Sequence, residues 1–156
     1  MSEQTQVGEA FPDVALELPD GGTVKASDFR ERKLVVFFYP KDDTPGCTIE
    51  AKDFTTMAGD FAKAGGVVIG VSPDSPKSHD KFCKKHGLGV ILASDETGHT
   101  CEDYGVWLEK SMYGKTYMGV ERTTVLIDGT GKVARVWNKV GVKGHADEVL
   151  AAAQAL

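Results

Sequence analysis

Apolar runs and helix-like periods alternate along the first half of the chain. Residues 34–39 and 67–71 are continuous apolar runs rich in β-branched and aromatic side chains, which is typical of strands covered on both faces. Residues 90–92 form a shorter run of the same kind. Between the first two runs, apolar residues recur at steps of three and four from Cys47 to Phe61. This spacing predicts one long helix with Cys47 on its inward stripe.

Turn signals and caps define the remaining elements. Strands at 123–127 and 133–137 flank Asp128-Gly129-Thr130-Gly131, which predicts a hairpin, and residues 14–25 predict another hairpin at the start. Helices are predicted from Pro76 to Gly87, over 97–104 and over 144–156, with a helical turn at 27–29. Strands first separated by helices and then joined by a hairpin imply an α/β sheet, parallel in its first half and antiparallel in its second.

Composition narrows the class of protein. The 156 residues carry 41% apolar side chains, which predicts a single domain over 1–156. A net charge of -5 without a long basic cluster argues against nucleic acid as a partner. The longest apolar run is far shorter than a membrane span, and the first residues resemble no leader, so we expect no membrane partner. Three cysteines do not make a disulfide scaffold, which favours a reducing, cytoplasmic location.

The segment from residue 39 to 48 joins a buried strand to a helix, where sites in α/β sheets usually lie. If Thr44 is the N-cap and Pro45 the first helical residue, the Thr44 hydroxyl can accept a hydrogen bond from the Cys47 N–H. A thiol in the first turn lies near the positive end of the helix dipole, which favours the thiolate. From these residues alone, Cys47 is either a reactive nucleophile or a small buried apolar residue.

A family resemblance begins in this segment. Pro40, Thr44 and Cys47 match the Pro-x-x-x-Thr-x-x-Cys spacing of peroxiredoxins, and the string around them resembles the bacterioferritin comigratory protein (BCP) or PrxQ subgroup. Further similar segments cover nearly the whole chain: 11–12, 94–96, 104–107, 109–110, 114–117, 122 and 126–129. The resemblance implies a thioredoxin-like fold, with a central mixed β-sheet flanked by helices and an N-terminal β-hairpin extension.

The resemblance also implies an activity and a set of roles. Cys47 is expected to attack hydrogen peroxide or a small organic hydroperoxide and to become a sulfenic acid. Thr44 is expected to hydrogen-bond the peroxide and the sulfur, Pro40 to shield the site from water, and Arg122 to polarise the peroxide and stabilise the thiolate. Thioredoxin or a similar dithiol is the expected reductant, with no metal or other cofactor. Taken alone, Arg122 is equally typical of a solvated residue, and Glu50 is either its buttress or a solvated acid.

The second thiol of the reaction is less clear. Many relatives place a resolving cysteine five residues after the peroxidatic one, where this chain has Lys52. The resemblance to another PrxQ arrangement makes Cys83 the resolving thiol, on a weakly apolar helix that can unwind locally. We expect its exposure and the lysines at 84 and 85 to favour the thiolate. Cys101 is expected to be a packed structural thiol, and the four histidines ordinary surface imidazoles without metal-binding spacing.

Other functions remain open at this point. A thioredoxin-like disulfide reductase needs Cys-x-x-Cys, but Thr44 occupies the first of those positions. A holdase or interaction domain on the same scaffold is a non-enzymatic alternative, because fold alone does not fix function. A 1-Cys peroxidase with an external resolving thiol is a third. We expect the chain to be a monomer.

Overall fold

The computed structural model describes residues 6–96, 101 and 104–156. The strands are β1 (Leu16–Glu17), β2 (Thr23–Val24), β3 (Lys33–Phe38), β4 (Gly66–Ser72), β5 (Ile91–Ser94), β6 (Trp107–Met112), β7 (Lys115–Val120), β8 (Thr123–Ile127) and β9 (Val133–Trp137). The helices are α1 (Pro45–Thr56), α2 (Ala58–Lys63), α3 (Pro76–His86) and α4 (His145–Ala155), with a 3-10 turn at Ala26–Phe29.

Seven of the described strands form one mixed sheet, in the order β2-β1-β5-β4-β3-β8-β9. The three strands β3, β4 and β5 run parallel, whereas β8 pairs with β3, and β9 with β8, in antiparallel fashion. The predicted change from parallel to antiparallel pairing is therefore confirmed, as are the hairpins β1–β2 and β8–β9.

Strand β3 is buried on both faces, as its continuous apolar sequence predicts. Val35 and Phe37 point into a core cluster that includes apolar residues from all four named helices, whereas Val36 and Phe38 point into a second cluster on the opposite face. Cys47 belongs to the first cluster. The helical layer on this face therefore fixes α1, and the thiol that it carries, against the centre of the sheet.

Two predictions about elements need correction. The helix expected to run unbroken from Cys47 to Phe61 is divided at Met57 (φ −95°, ψ 1°) into α1 and α2. The sequence analysis also missed the separate hairpin β6–β7, whose turn places Tyr113 at φ 52°. Most described side chains of β7 are exposed. The alternation of apolar and polar residues that marks a half-buried strand is therefore missing from its sequence, which is why the strand was not predicted. The helix predicted over 97–104 lies largely outside the described residues.

Within the described parts of the chain, no helix is long and apolar enough to cross a membrane.

The expectation of surface imidazoles is wrong for His145, which is only 5% exposed. It begins α4, its Nε2 lies 2.8 Å from Thr124 Oγ1, and its ring meets Phe54 and Trp137 edge-on. Burial lowers the pKa of His145 to about 4, with Arg122 acting in the same direction and Glu148 opposing it. The folded protein thus holds this imidazole neutral.

Replacing His145 with Gln should change how stability depends on pH. An unfolded histidine titrates near pH 6.5, so between about pH 6.5 and 4 the unfolded chain binds the extra proton and the wild type loses stability as pH falls. The wild-type advantage over His145→Gln should therefore shrink by about 3 kcal/mol over this window. Urea unfolding at successive pH values measures the advantage, and its value at pH 8 gives the pH-independent cost. A constant difference would contradict the neutral, buried imidazole.

Candidate active site

The first turn of α1 presents Cys47 at the C-terminal end of β3. Thr44 occupies the N-cap position with extended backbone (φ −87°, ψ 153°), Pro45 is the first helical residue, and Cys47 is the third. This start of the helix confirms the sequence prediction. The Cys47 side chain faces inward and is 1% exposed.

The predicted hydrogen bond from the Cys47 N–H to the Thr44 hydroxyl is absent. Instead, Thr44 Oγ1 donates to the Lys41 carbonyl at 2.8 Å and closes the loop on itself. Since the hydroxyl proton is used there, the lone pairs of Oγ1 can still accept a hydrogen bond. Thr44 is therefore an acceptor beside the first turn of α1.

Arg122 joins Cys47 to Glu50 across the site. Its Nη2 donates to Cys47 Sγ at 3.2 Å and its Nη1 donates to Glu50 Oε1 at 2.7 Å. A half-buried guanidinium donating to sulfur stabilises negative charge there. Burial by itself would lower the pKa of Arg122, but Glu50 and Cys47 outweigh it and raise that pKa. Of the two interpretations left open by the sequence, the structure therefore favours a partnered Arg122 over a solvated one.

Glu50 lies one turn after Cys47 and is 1% exposed, so it is the buttress of Arg122 and not a solvated acid. Its second oxygen, Oε2, is buried and has no hydrogen-bond partner among the described residues. Burial raises the pKa of Glu50 to about 7, although Arg122 pulls it down. The carboxyl group consequently sits near its titration point at neutral pH, held mainly by one bond to the guanidinium.

Gly46 provides the space in which Arg122 approaches the thiol. A Cβ atom built on Gly46 would lie 3.2 Å from Arg122 Nη2, closer than such atoms ordinarily come. Glycine at this position in the first turn therefore lets the guanidinium lie against the backbone of α1 while it contacts Cys47.

Comparison with known proteins identifies the family. The AhpC/TSA family model matches residues 7–136. The chain belongs to the AhpC/TSA family. Peroxiredoxin Bcp of Bacillus subtilis is 46% identical over 145 residues, 93% of this chain and 92% of that protein. The chain groups with the Bcp/PrxQ peroxiredoxins. It is therefore an enzyme of the thiol peroxidase type.

Solved structures agree with this assignment. A cysteine-to-serine mutant of Xylella fastidiosa PrxQ has a TM-score of 0.93 at 37% identity, covering 99% of this chain and 98% of that one. The bacterioferritin comigratory protein of Xanthomonas campestris, studied for its alkyl peroxide reduction activity, has a TM-score of 0.89 at 44% identity and covers 97% and 96%. The expected thioredoxin-like fold of this peroxiredoxin is thus confirmed.

The three thiols of this peroxiredoxin are all free, in different surroundings. Cys83 is partly exposed and packs against the core cluster that holds Cys47. The expectation that exposure and neighbouring lysines favour its thiolate is wrong: burial, then Asp42 and Asp80, raise the pKa of Cys83. Both lysines are also engaged in ion pairs, Lys84 with Asp80 and Lys85 with Asp43.

Cys101 is fully buried, as expected of a packed thiol. Its backbone N–H donates to Asp95 Oδ2 at 2.9 Å, and burial together with the Asp95 charge raises the pKa of the thiol far above its usual range. In the described part of the peroxiredoxin, no group of three or more His, Cys, Asp or Glu side chains is arranged so that it could hold a metal ion.

One group of residues beside the site was missed by the sequence analysis. His79, expected at the surface, is completely buried, and its Nδ1 lies 2.7 Å from Asp42 Oδ2. Tyr39 OH donates to Asp42 Oδ1 at 2.6 Å, and burial followed by the Asp42 charge raises the pKa of Tyr39 well above its usual range. Pro40, which follows Tyr39 in the chain, is half-buried. No local pattern reveals the cluster, because its members come from a loop and a separate helix.

Substituting Gly46 with Ala should slow the reaction of this peroxiredoxin with peroxide by about tenfold. The new methyl group displaces Arg122 by a few tenths of an ångström, a milder change than removing an oxyanion donor, which costs about a hundredfold or more. Stopped-flow tryptophan fluorescence measures the second-order rate constant.

Gly59→Ala in α2 is the matched control for Gly46→Ala. No heavy atom lies within 4 Å of the Cβ position there, so the control gains helix propensity without displacing anything. Equal rate constants for both variants and the wild type would contradict a role for the Gly46 contact.

Proposed function

We propose that Cys47 is the peroxidatic nucleophile of this enzyme, with Arg122, Thr44 and Pro40 as its first partners. The observation that carries the proposal is the 3.2 Å hydrogen bond from Arg122 Nη2 to Cys47 Sγ at the start of α1. A thiolate is the reactive form of cysteine, and a cation together with a helix N-terminus stabilises it.

The chemistry follows from these groups. The Cys47 thiolate attacks the terminal oxygen of a hydroperoxide, an S–O bond forms, the O–O bond breaks, and the leaving oxygen departs with a proton as water or an alcohol. Cys47 becomes a sulfenic acid. Arg122 stabilises charge on the sulfur and on the departing oxygen, Thr44 Oγ1 accepts a hydrogen bond from the peroxide hydroxyl, and Pro40 limits the entry of water.

Hydrogen peroxide and alkyl hydroperoxides are the proposed substrates. The structural relative studied for alkyl peroxide reduction supports the organic substrates. The arrangement at Cys47 supports both classes, because its donors and acceptors address the two peroxide oxygens and not the remainder of the molecule. Residues 1–156 act as one thioredoxin-like domain, a cytoplasmic monomer in our proposal, without a metal or other cofactor.

Cys83 is the proposed resolving thiol, and thioredoxin or a similar dithiol is the proposed reductant. Cys83 Sγ attacks the sulfenic sulfur of Cys47, the S–S bond forms, and hydroxide leaves with the thiol proton as water. Both thiols are free in the reduced structure and Cys83 is partly buried in α3, so in our proposal α3 opens before the two sulfurs meet. Opening also removes the burial that raises the pKa of Cys83.

Cys47→Ser should abolish peroxide-dependent oxidation of thioredoxin, with a loss of about a thousandfold or more, because a hydroxyl is a poor nucleophile without a strong base. Coupled NADPH consumption through thioredoxin reductase measures turnover, and circular dichroism checks the fold. Cys101→Ser is the control that also replaces one buried sulfur. Turnover by Cys47→Ser close to that of the wild type would exclude Cys47 as the nucleophile.

Cys83→Ser should still form sulfenic acid at Cys47 but should stall thioredoxin-dependent turnover and accumulate sulfinic acid under excess peroxide. No internal thiol then traps the sulfenic acid in the proposed pathway. Intact-protein mass spectrometry after one and ten equivalents of peroxide distinguishes these products. Peptide mapping that joins Cys47 to Cys101, or undiminished turnover with an external thiol, would replace this pathway with another resolving group.

A further inference from the structure

Two adjacent acidic residues in the loop before α1 hold α3 at both ends of the segment that carries Cys83. Asp42 Oδ2 lies 2.7 Å from His79 Nδ1, and we call this buried contact the inner pair. Asp43 accepts from Lys85 Nζ at 2.6 Å and contacts His86 Nε2 at 2.7 Å, and we call these exposed contacts the outer pair. Cys83 lies between the two points of attachment.

The inner pair is fully hydrogen-bonded only while α3 is docked. Asp42 Oδ1 accepts from Tyr39 OH at 2.6 Å, and Oδ2 accepts from Ser78 Oγ at 2.8 Å. His79 Nε2 lies 3.0 Å from the Ala93 carbonyl, which can only accept, so this nitrogen carries a proton. His79 Nδ1 and Asp42 Oδ2 are joined by a hydrogen bond at 2.7 Å. Withdrawing His79 alone therefore leaves a carboxyl group and a carbonyl with unmet hydrogen bonds.

Polar contacts account for much of the attachment of α3. Of its residues, only His79 and Phe82 are fully buried, while Cys83 is half-buried. Buried apolar area on this helix is small, and the free energy of opening a helix follows the contacts it must lose. Leaving a buried polar group without its hydrogen-bond partner is strongly destabilising, whereas a single exposed ion pair contributes little. The inner pair should thus dominate and the outer pair should add a smaller effect.

We propose that Asp42 and His79, assisted by the outer pair, set how readily α3 opens and therefore how fast Cys83 reaches the Cys47 sulfenic acid. The inference rests on the proposed function, in which Cys83 resolves Cys47. His79 and Asp42 are positioning residues, since neither supplies an atom to the S–S bond. A tighter inner pair lengthens the lifetime of the Cys47 sulfenic acid, and a second peroxide molecule can then oxidise it to sulfinic acid.

The first experiment removes the inner pair. His79→Phe retains a ring but no hydrogen-bonding group, so hydrogen exchange of the α3 amides in the reduced protein should accelerate by about tenfold or more. Asp42→Asn is the conservative variant, because its amide can still accept from Tyr39 and donate to a neutral His79. The Asp42→Asn variant should keep most of the exchange protection of the α3 amides that His79→Phe loses.

The same variants are followed through one turnover by stopped flow. Disulfide formation should be faster in His79→Phe by a factor similar to that seen in exchange, and more peroxide should be needed to reach half-maximal sulfinic acid. The preceding reaction with peroxide is recorded as a separate phase. A purely structural role would lower overall stability without accelerating the disulfide step.

A matched surface pair provides an answer even if His79→Phe fails to fold. Lys85→Gln and Lys84→Gln each remove one exposed positive charge next to Cys83, but only Lys85 reaches the loop before α1, whereas Lys84 pairs within α3 with Asp80. Lys85→Gln should accelerate exchange in α3 and the disulfide step about twofold to threefold. Lys84→Gln should change neither.

Hydrogen exchange separates this inference from the proposed function, because it needs no peroxide. Unchanged α3 exchange in both His79→Phe and Lys85→Gln would overturn the inference, as would equal effects of Lys84→Gln and Lys85→Gln. Faster exchange without a faster disulfide step would also overturn it. If the wild type forms no Cys47–Cys83 disulfide at all, the proposed resolving step fails, and with it the link from α3 opening to catalysis.

Discussion

The site depends on one positive charge held between two groups of α1. Arg122 immediately precedes β8, whose antiparallel register sets Thr123 opposite Phe38 at the end of β3. The loop that leaves β3 leads directly into α1, so the strand pairing delivers the guanidinium to Cys47 and Glu50. A slip of one residue in this register would turn the side chains of β8 to the other face. The buried apolar residues of β3 and β8 are therefore also what aligns the chemistry.

Holding the charge of Arg122 requires a buried carboxyl group, Glu50, whose burial lowers the stability of the fold. Glu50 is almost fully buried, and one of its carboxylate oxygens has no partner in the part of the chain that the structure describes, an arrangement that costs stability. Burial raises the pKa of Glu50 to about 7, and its charge in turn helps to raise the pKa of Arg122. An ionised Glu50 attracts the guanidinium that also contacts Cys47, whereas a protonated Glu50 attracts it less and leaves more of its charge for the sulfur. Burial of Glu50 thus costs folding stability, and the protonation of Glu50 changes how strongly Arg122 acts on the Cys47 sulfur.

The elements that could be predicted from the sequence are those set by interactions between residues close together in the chain. The apolar runs of β3 and β4 and the Thr44-Pro45 start of α1 follow from burial and capping preferences within a few residues. The predicted cap hydrogen bond of Thr44 was wrong because its hydroxyl turns to the Lys41 carbonyl, to which it donates, and not to the first turn of α1. The burial of His79 could not be predicted, since its partner Asp42 is 37 residues away and no periodic signal connects them. Partnered polar groups in a core depend on the tertiary fold.

The two thiols impose opposite demands on the same loop. In the proposed pathway, reaction with peroxide uses residues 40–47 closed around the buried Cys47, because Arg122 and Thr44 must be held in place to act on the peroxide. The proposed disulfide with Cys83 requires the same region to loosen, because Cys47 is buried and Cys83 is half-buried in α3. Asp42 and Asp43 belong to this loop and contact α3 at the same time. In the proposed pathway, contacts that close the loop for the first step therefore delay the second, so these contacts link the two rates.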